Sequence, residues 1–205
     1  MKDYPSIPGY KDALHKIGEY TFCFNKLDGS NLRFQFNKKH GWNKFGSRTR
    51  LLDRTDPILG PGIDIFLNKY SEALEKKFFD TREFKEAGEM ICFGEFYGPS
   101  SFAGTHVQSE QKDVVLFDVN IHKKGLLDPR EFIKNFGDLH IPDLIFEGKL
   151  TKAFIDGIVD GQYPVVEGAI AKGGSGHKLW SLKIKCQSYL DKLKNTFPKN
   201  WEQYI

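Results

Sequence analysis

The spacing of apolar residues predicts an α+β fold, with antiparallel sheets and flanking helices. Three observations carry this expectation. Runs of aromatic and β-branched residues alternate with polar ones at period two and are separated by Gly, Asp and Pro turns. One long segment, residues 63–79, changes to helical spacing. Phenylalanine occurs 18 times and tyrosine 8 times in 205 residues, a supply of rings that suits a sheet-rich interior.

The elements follow in order. Tyr20-Thr21-Phe22-Cys23-Phe24 reads as a strand and Asp28-Gly29 as a turn, after which Leu32, Phe34 and Phe36 alternate with Arg33, Gln35 and Asn37 in a second strand. Residues 42–50 form a third. In 63–79, Ile65, Phe66, Tyr70, Ala73, Leu74 and Phe78 share one helical face, and Lys69, Glu72, Glu75 and Lys76 lie on or near the other. Residues 89–97 and 112–119 are two core strands. A short helix covers 129–136 with Pro129 at its start, and another covers 151–159 with Thr151 as its cap. Residues 165–172 and 178–185 make a hairpin joined by Gly173-Gly174-Ser175-Gly176. A closing helix, 187–197, presents Tyr189, Leu190, Leu193 and Phe197. The length suits one domain over residues 1–205, with no OB-fold or other C-terminal accessory domain.

Composition excludes more than it assigns. Cys23, Cys92 and Cys186 are three, unclustered and far apart, which speaks against a disulfide framework or a structural zinc site. The net charge of +3 is compatible with a polyanionic substrate without identifying one. The six histidines show neither metal nor triad spacing. No run approaches a membrane span, and Met1-Lys2-Asp3-Tyr4-Pro5 lacks the apolar core of a secretory leader. The expected address is the cytoplasm, or that of a host cell for a phage-encoded protein.

The chemistry begins at Lys26-Leu27-Asp28-Gly29-Ser30-Asn31, where a lysine closes an apolar strand and a turn follows at once. A free lysine amine has a pKa of about 10.4, so it must be activated by desolvation or by neighbouring cations before it attacks anything. Further along come Phe93-Gly94-Glu95-Phe96-Tyr97-Gly98, then Leu116-Phe117-Asp118-Val119. Val166-Glu167-Gly168-Ala169-Ile170-Ala171-Lys172 and Ser181-Leu182-Lys183-Ile184-Lys185 complete the series, and Ser47-Arg48-Thr49-Arg50 lies between the first two. Alternation with Leu182 and Ile184 sends Lys183 and Lys185 to one strand face.

In this order, over residues 20–185, the motifs resemble the covalent nucleotidyltransferase superfamily of ATP-dependent DNA ligases, RNA ligases and capping enzymes. The resemblance implies a nucleotidyltransferase domain of the ATP-grasp-like ligase adenylation kind. It implies Lys26 as the nucleophile that takes AMP from ATP, with Lys183 and Lys185 neutralising the α-phosphate. Glu95 would hold the ribose, Phe117 would stack on the purine, and Arg48 would contact ribose or a terminal phosphate. Nucleotidyl transfer depends on in-line geometry and charge neutralisation, so a divalent metal, Mg²⁺ or Mn²⁺, is expected, with Glu167 holding it. Asn31 stands five residues after the lysine, where RNA ligases of the RNA ligase 2 type carry asparagine and DNA ligases or capping enzymes arginine. Arg33, on the same strand face as Asn31, could reach phosphate. Asp118 is the third residue assigned to nucleic acid, although an ideal strand turns it away from Phe117. The partners implied are RNA ends or a nicked duplex, RNA before DNA. A DNA ligase, a capping guanylyltransferase and a non-catalytic nucleotide- or RNA-binding module are the alternatives.

Overall fold

The computed structural model describes residues 1–99 and 107–204. In chain order, after a 3₁₀ segment at Tyr10–Lys16, the elements open with β1 (Tyr20–Lys26), β2 (Gly29–Asn37), β3 (Gly41–Ser47) and β4 (Leu51–Leu52). Next come α1 (Gly60–Asp80), α2 (Arg82–Lys85), β5 (Glu89–Tyr97), β6 (Asp113–Ile121), β7 (Gly125–Leu126) and α3 (Pro129–Phe136). The chain then runs through β8 (Leu144–Lys149), α4 (Lys152–Val159), β9 (Gly168–Gly173), β10 (Trp180–Lys185) and α5 (Gln187–Thr196). Both sheets are antiparallel and helices flank them, as the alternation predicts. Among the described residues, no helix is long and apolar enough to cross a membrane.

By internal contacts the described chain divides into two compact units, one of residues 1–5, 29–99 and 107–141, the other of 6–28 and 142–204. The first holds a six-stranded sheet in the order β4-β3-β2-β5-β6-β7. Leu32, Phe34 and Phe36 of β2 pack with Ile63, Phe66, Tyr70, Leu74 and Phe78 of α1 in one buried cluster. Phe34 and Phe66 stack with centroids 3.6 Å apart. Tyr70 donates its hydroxyl to the carbonyls of Val114 and His140, at 3.0 and 2.7 Å, so the one polar atom on that helical face is satisfied. The period-two pattern makes the opposite sheet face polar: Asn31, Arg33 and Gln35 lie there.

The second unit holds the sheet β10-β9-β1-β8. Cys23, Ala169, Ala171, Leu182 and Ile184 face Phe154, Ile155 and Ile158 of α4 in a second core. Thr151 caps α4, its hydroxyl accepting from the Phe154 amide at 3.1 Å. All three cysteines are buried. Burial pushes the Cys23 thiol up to about 12.

Three strand boundaries move in ways that bear on the site, and strand β8 is added. The strand expected over 42–50 stops at Ser47, and Arg48 falls in the turn before β4. The hairpin strand expected from residue 165 begins at Gly168, because the Val166 amide turns to the Asn25 side chain at 3.1 Å and the Glu167 amide to the Lys26 carbonyl at 2.9 Å. The expected start at residue 178 gives way to a 3₁₀ turn over Gly176–Lys178. Strand β8 was not expected at all: it is an edge strand whose exposure does not alternate cleanly, and Gly148 breaks its run.

Candidate active site

Strand register builds the site in the second unit. Lys26 of β1 and Lys185 of β10 both pair with Gly168 of β9, one from each side. The three therefore form one cross-strand row, and the two lysine side chains leave the same face of the sheet, opposite α4. Gly168 has φ of +146°, and a Cβ there would lie 1.9 Å from the Ile184 carbonyl oxygen. Only glycine fits, so the middle of the row is empty of side chain.

Glu167 fills that gap. Its backbone is held on both sides, the amide donating to Lys26 and the carbonyl accepting from the Cys186 amide at 3.1 Å. One carboxylate oxygen accepts from Lys26 Nζ and the other pairs with Lys185 Nζ at 2.8 Å. The Glu167 side chain is 4% exposed, that of Lys185 9% and that of Lys26 23%, so the side chain at position 26 is the most exposed of the three. Lys185 also donates to the Tyr204 carbonyl at 2.6 Å and lies 5.1 Å from the Tyr189 ring centre. Lys183 sits one row along on the same face, opposite Ile170, and its amide donates to the Pro8 carbonyl at 2.9 Å. The expected pair of cations beside Lys26 thus has an anion set into it. A carboxylate between two ammonium groups removes a repulsion that poor solvation would otherwise magnify.

Removing that carboxylate charge has a large expected cost. Glu167→Gln leaves Lys185 almost buried and opposite a neutral amide, and stability should fall by about 3 kcal/mol or more. Chemical denaturation measures this; a midpoint equal to wild type would mean that the row holds together without the ion pairs.

Two residues near the row form a buried pair. Asp28, predicted in a turn, is 1% exposed and accepts from the Tyr189 hydroxyl at 3.0 Å. Tyr189, expected only as an apolar contact of the last helix, carries that donor. A buried Asp–Gly turn looks the same as an exposed one in sequence, so nothing local signals the pairing.

The first unit collects Asn31, Arg33, Glu95, Phe117 and Asp118 on the polar face of its sheet, and leaves Arg48 in the turn after β3. Asn31 and Glu95 are direct cross-strand neighbours on β2 and β5. Glu95 is half-buried, and Asn31 Oδ1 is buried with no hydrogen-bond partner among the described residues. A β-bulge changes the expectation for Asp118. Phe93 pairs with Asp118 and Gly94 with Leu116, which leaves Phe117 as the extra residue of β6. The inserted residue resets the alternation, so Phe117 and Asp118 face the same way, and the Tyr4 side chain touches both.

Arg33 is corrected more sharply. It is 3% exposed, and its guanidinium donates to the Ser47 carbonyl at 2.6 Å, the Lys2 carbonyl at 3.2 Å, the Met1 carbonyl at 3.5 Å and the Asp3 carboxylate. A buried guanidinium with these acceptors is an anchor for residues 1–3, not a group waiting for phosphate. Arg48 is exposed. Its neighbour Arg50 pairs with Asp56 at 2.6 Å.

Among the described residues, no three His, Cys, Asp or Glu side chains cluster as a metal cage. Glu167 is the single carboxylate in the lysine row. One carboxylate fits a hard cation that keeps water and phosphate oxygens as its other ligands, and does not fit a dedicated protein cage.

The family model for RNA ligase matches residues 19–185. Among solved structures, a ligand-free point mutant of the Naegleria gruberi RNA ligase superposes with a TM-score of 0.68 at 18% identity, covering 95% of this chain and 58% of that one. Another point mutant of that enzyme, solved with ATP and Mn, gives 0.66 at 18% identity over 94% and 59%. The same ligase with pyrophosphate gives 0.68 at 18% over 95% and 58%. The chain therefore spans just under three-fifths of the length of these structures, and at this identity they establish the fold. No curated protein sequence matches at a significant level.

Proposed function

We propose that this chain, which belongs to the RNA ligase family, is an ATP-dependent RNA ligase or the adenylation module of one, using Lys26 as its nucleophile. The observation that carries the reading is the row Lys26–Gly168–Lys185 with Glu167 set between the lysines. It is a partly exposed lysine in a cluster of charges held by strand register, which is what nucleotidyl transfer requires.

In the ligand-free state the Lys26 amine is paired with Glu167. Attack requires that this pair open and that Nζ give its proton to solvent water, which the partly exposed side chain can meet. Lys185 keeps Glu167 in place through its other oxygen meanwhile. Nζ then forms a bond to the α-phosphorus of ATP, the bond from that phosphorus to the α,β-bridging oxygen breaks, and pyrophosphate leaves. Lys183 and Lys185 offset charge on the α-phosphate. The resulting lysyl–AMP passes AMP to a 5′-phosphate end, and a 3′-hydroxyl displaces it to form the phosphodiester.

Glu167 would hold Mg²⁺ or Mn²⁺ together with polyphosphate oxygens and water, and such an ion, when bound, supplies further neutralisation at the phosphates. Glu95 is assigned to the ribose, Phe117 to the adenine, Arg48 to ribose or terminal phosphate, and Asn31 and Asp118 to the nucleic acid. The ATP and Mn of the Naegleria enzyme come to this chain as part of the same proposal. The substrates are RNA ends or nicked duplexes, and the chain is taken as one adenylation domain.

Incubation with α-labelled ATP or GTP and a divalent metal tests this. The expected result is covalent label from ATP with release of pyrophosphate, followed by sealing of nicks whose 3′-hydroxyl strand is RNA. Preference for GTP would make it a capping-type enzyme, and preference for DNA nicks a DNA ligase. A non-covalent ATP complex without pyrophosphate would make it a binding module.

A further inference from the structure

Residues 1–4 lie against the polar face of the six-stranded sheet, held there by named contacts. Arg33 grips Met1, Lys2 and Asp3 from inside the unit. Lys2 Nζ donates to Asn120 Oδ1 at 3.1 Å. Tyr4 follows. Its ring meets Phe93 with centroids 4.9 Å apart, and meets Phe117 at 5.1 Å with the planes 88° apart. Its hydroxyl donates to Asp118 Oδ2 at 2.9 Å. The two residues that the bulge brings to one face are thus both held by one side chain from a segment remote in sequence.

The contacts are of the kind that fix geometry. An edge-to-face pair has a defined orientation, and a perpendicular neighbour takes at most one of the two faces of the Phe117 ring. A hydroxyl donated to a nearly buried carboxylate fixes its rotamer. Burial first, then the Asp118 charge, pushes the Tyr4 phenol well above its ordinary range, so it remains a donor throughout neutral pH.

We propose that Tyr4 is a positioning residue: its ring sets Phe117 for stacking on the nucleotide base, and its hydroxyl sets Asp118 for the nucleic-acid step. The inference rests on the ligase reading and assigns that reading a residue outside its motifs. Its two halves separate by substitution. Tyr4→Leu removes the ring contact, and Tyr4→Phe keeps the ring and removes only the hydroxyl.

In the labelling reaction, Tyr4→Leu should raise the half-saturating ATP concentration about tenfold, with the labelled fraction at saturation unchanged. Tyr4→Phe should restore the wild-type ATP dependence but slow transfer of AMP from the labelled protein to 5′-phosphorylated RNA about tenfold. A merely structural residue would shift the thermal unfolding of both variants without this split. Unchanged ATP dependence in a folded Tyr4→Leu protein overturns the proposal. So does tighter ATP use, which would make residues 1–4 an obstruction. If Tyr4→Leu fails to fold, Tyr4→Phe decides, and wild-type transfer in it overturns the Asp118 half. Binding of α,β-methylene ATP, which cannot donate AMP, is measured in parallel by calorimetry. No label on wild type, with binding still about tenfold weaker in Tyr4→Leu, would refute the ligase reading and keep the positioning role.

Discussion

Lys26→Arg is expected to fold like the wild type and to take no label from α-labelled ATP, a loss of more than about a thousandfold. Arginine keeps a positive charge opposite Glu167, so the ion pairs of the row survive. A guanidinium stays protonated at any working pH and has no lone pair to offer phosphorus. Lys26→Ala makes the comparison. It too loses the label, but it also strips one cation from Glu167 and should lower stability. The difference between the two variants separates the amine as nucleophile from the amine as charge. Label on Lys26→Arg would show that another side chain captures AMP, and the proposed chemistry would fall.

Gly168→Ala should cost more than about 3 kcal/mol of stability and abolish labelling with it. Two penalties coincide there. The φ of +146° is a conformation L-residues rarely adopt, and the added Cβ would stand 1.9 Å from a backbone carbonyl oxygen that the β9–β10 ladder fixes. Neither is relieved by a rotamer change, since both partners are main chain. Relief would push β9 away from β10, and that displacement separates Lys26 from Lys185, because each takes its place from pairing with residue 168. Denaturant midpoints and label uptake measure the two effects together. A stable, active Gly168→Ala protein would mean that the row is set by something other than this close approach.

Much was determined by the sequence alone, and the reason is periodicity. Alternation assigned Leu32, Phe34 and Phe36 to one sheet face, and helical spacing assigned Phe66, Tyr70, Leu74 and Phe78 to the helix that covers it. Alternation also put Lys183 and Lys185 on one face. The order of the motifs was enough to name the family. Edges and loops were less legible: β8 has no clean period, and Arg48 falls beyond the end of its strand.

Tertiary structure alone decided what each polar side chain meets. That Glu167 stands between Lys26 and Lys185 follows from two ladders closing on a single glycine, and nothing near position 167 in the sequence records positions 26 and 185. The bulge at Phe117 turned Asp118 to the face an ideal strand denies it. Arg33 and Tyr4 became anchor and contact because residues 1–4 cross strands more than twenty residues distant in sequence. Backbone periodicity is a local property of the chain. The partner of a buried charge is set by register between distant segments, and only folding chooses it.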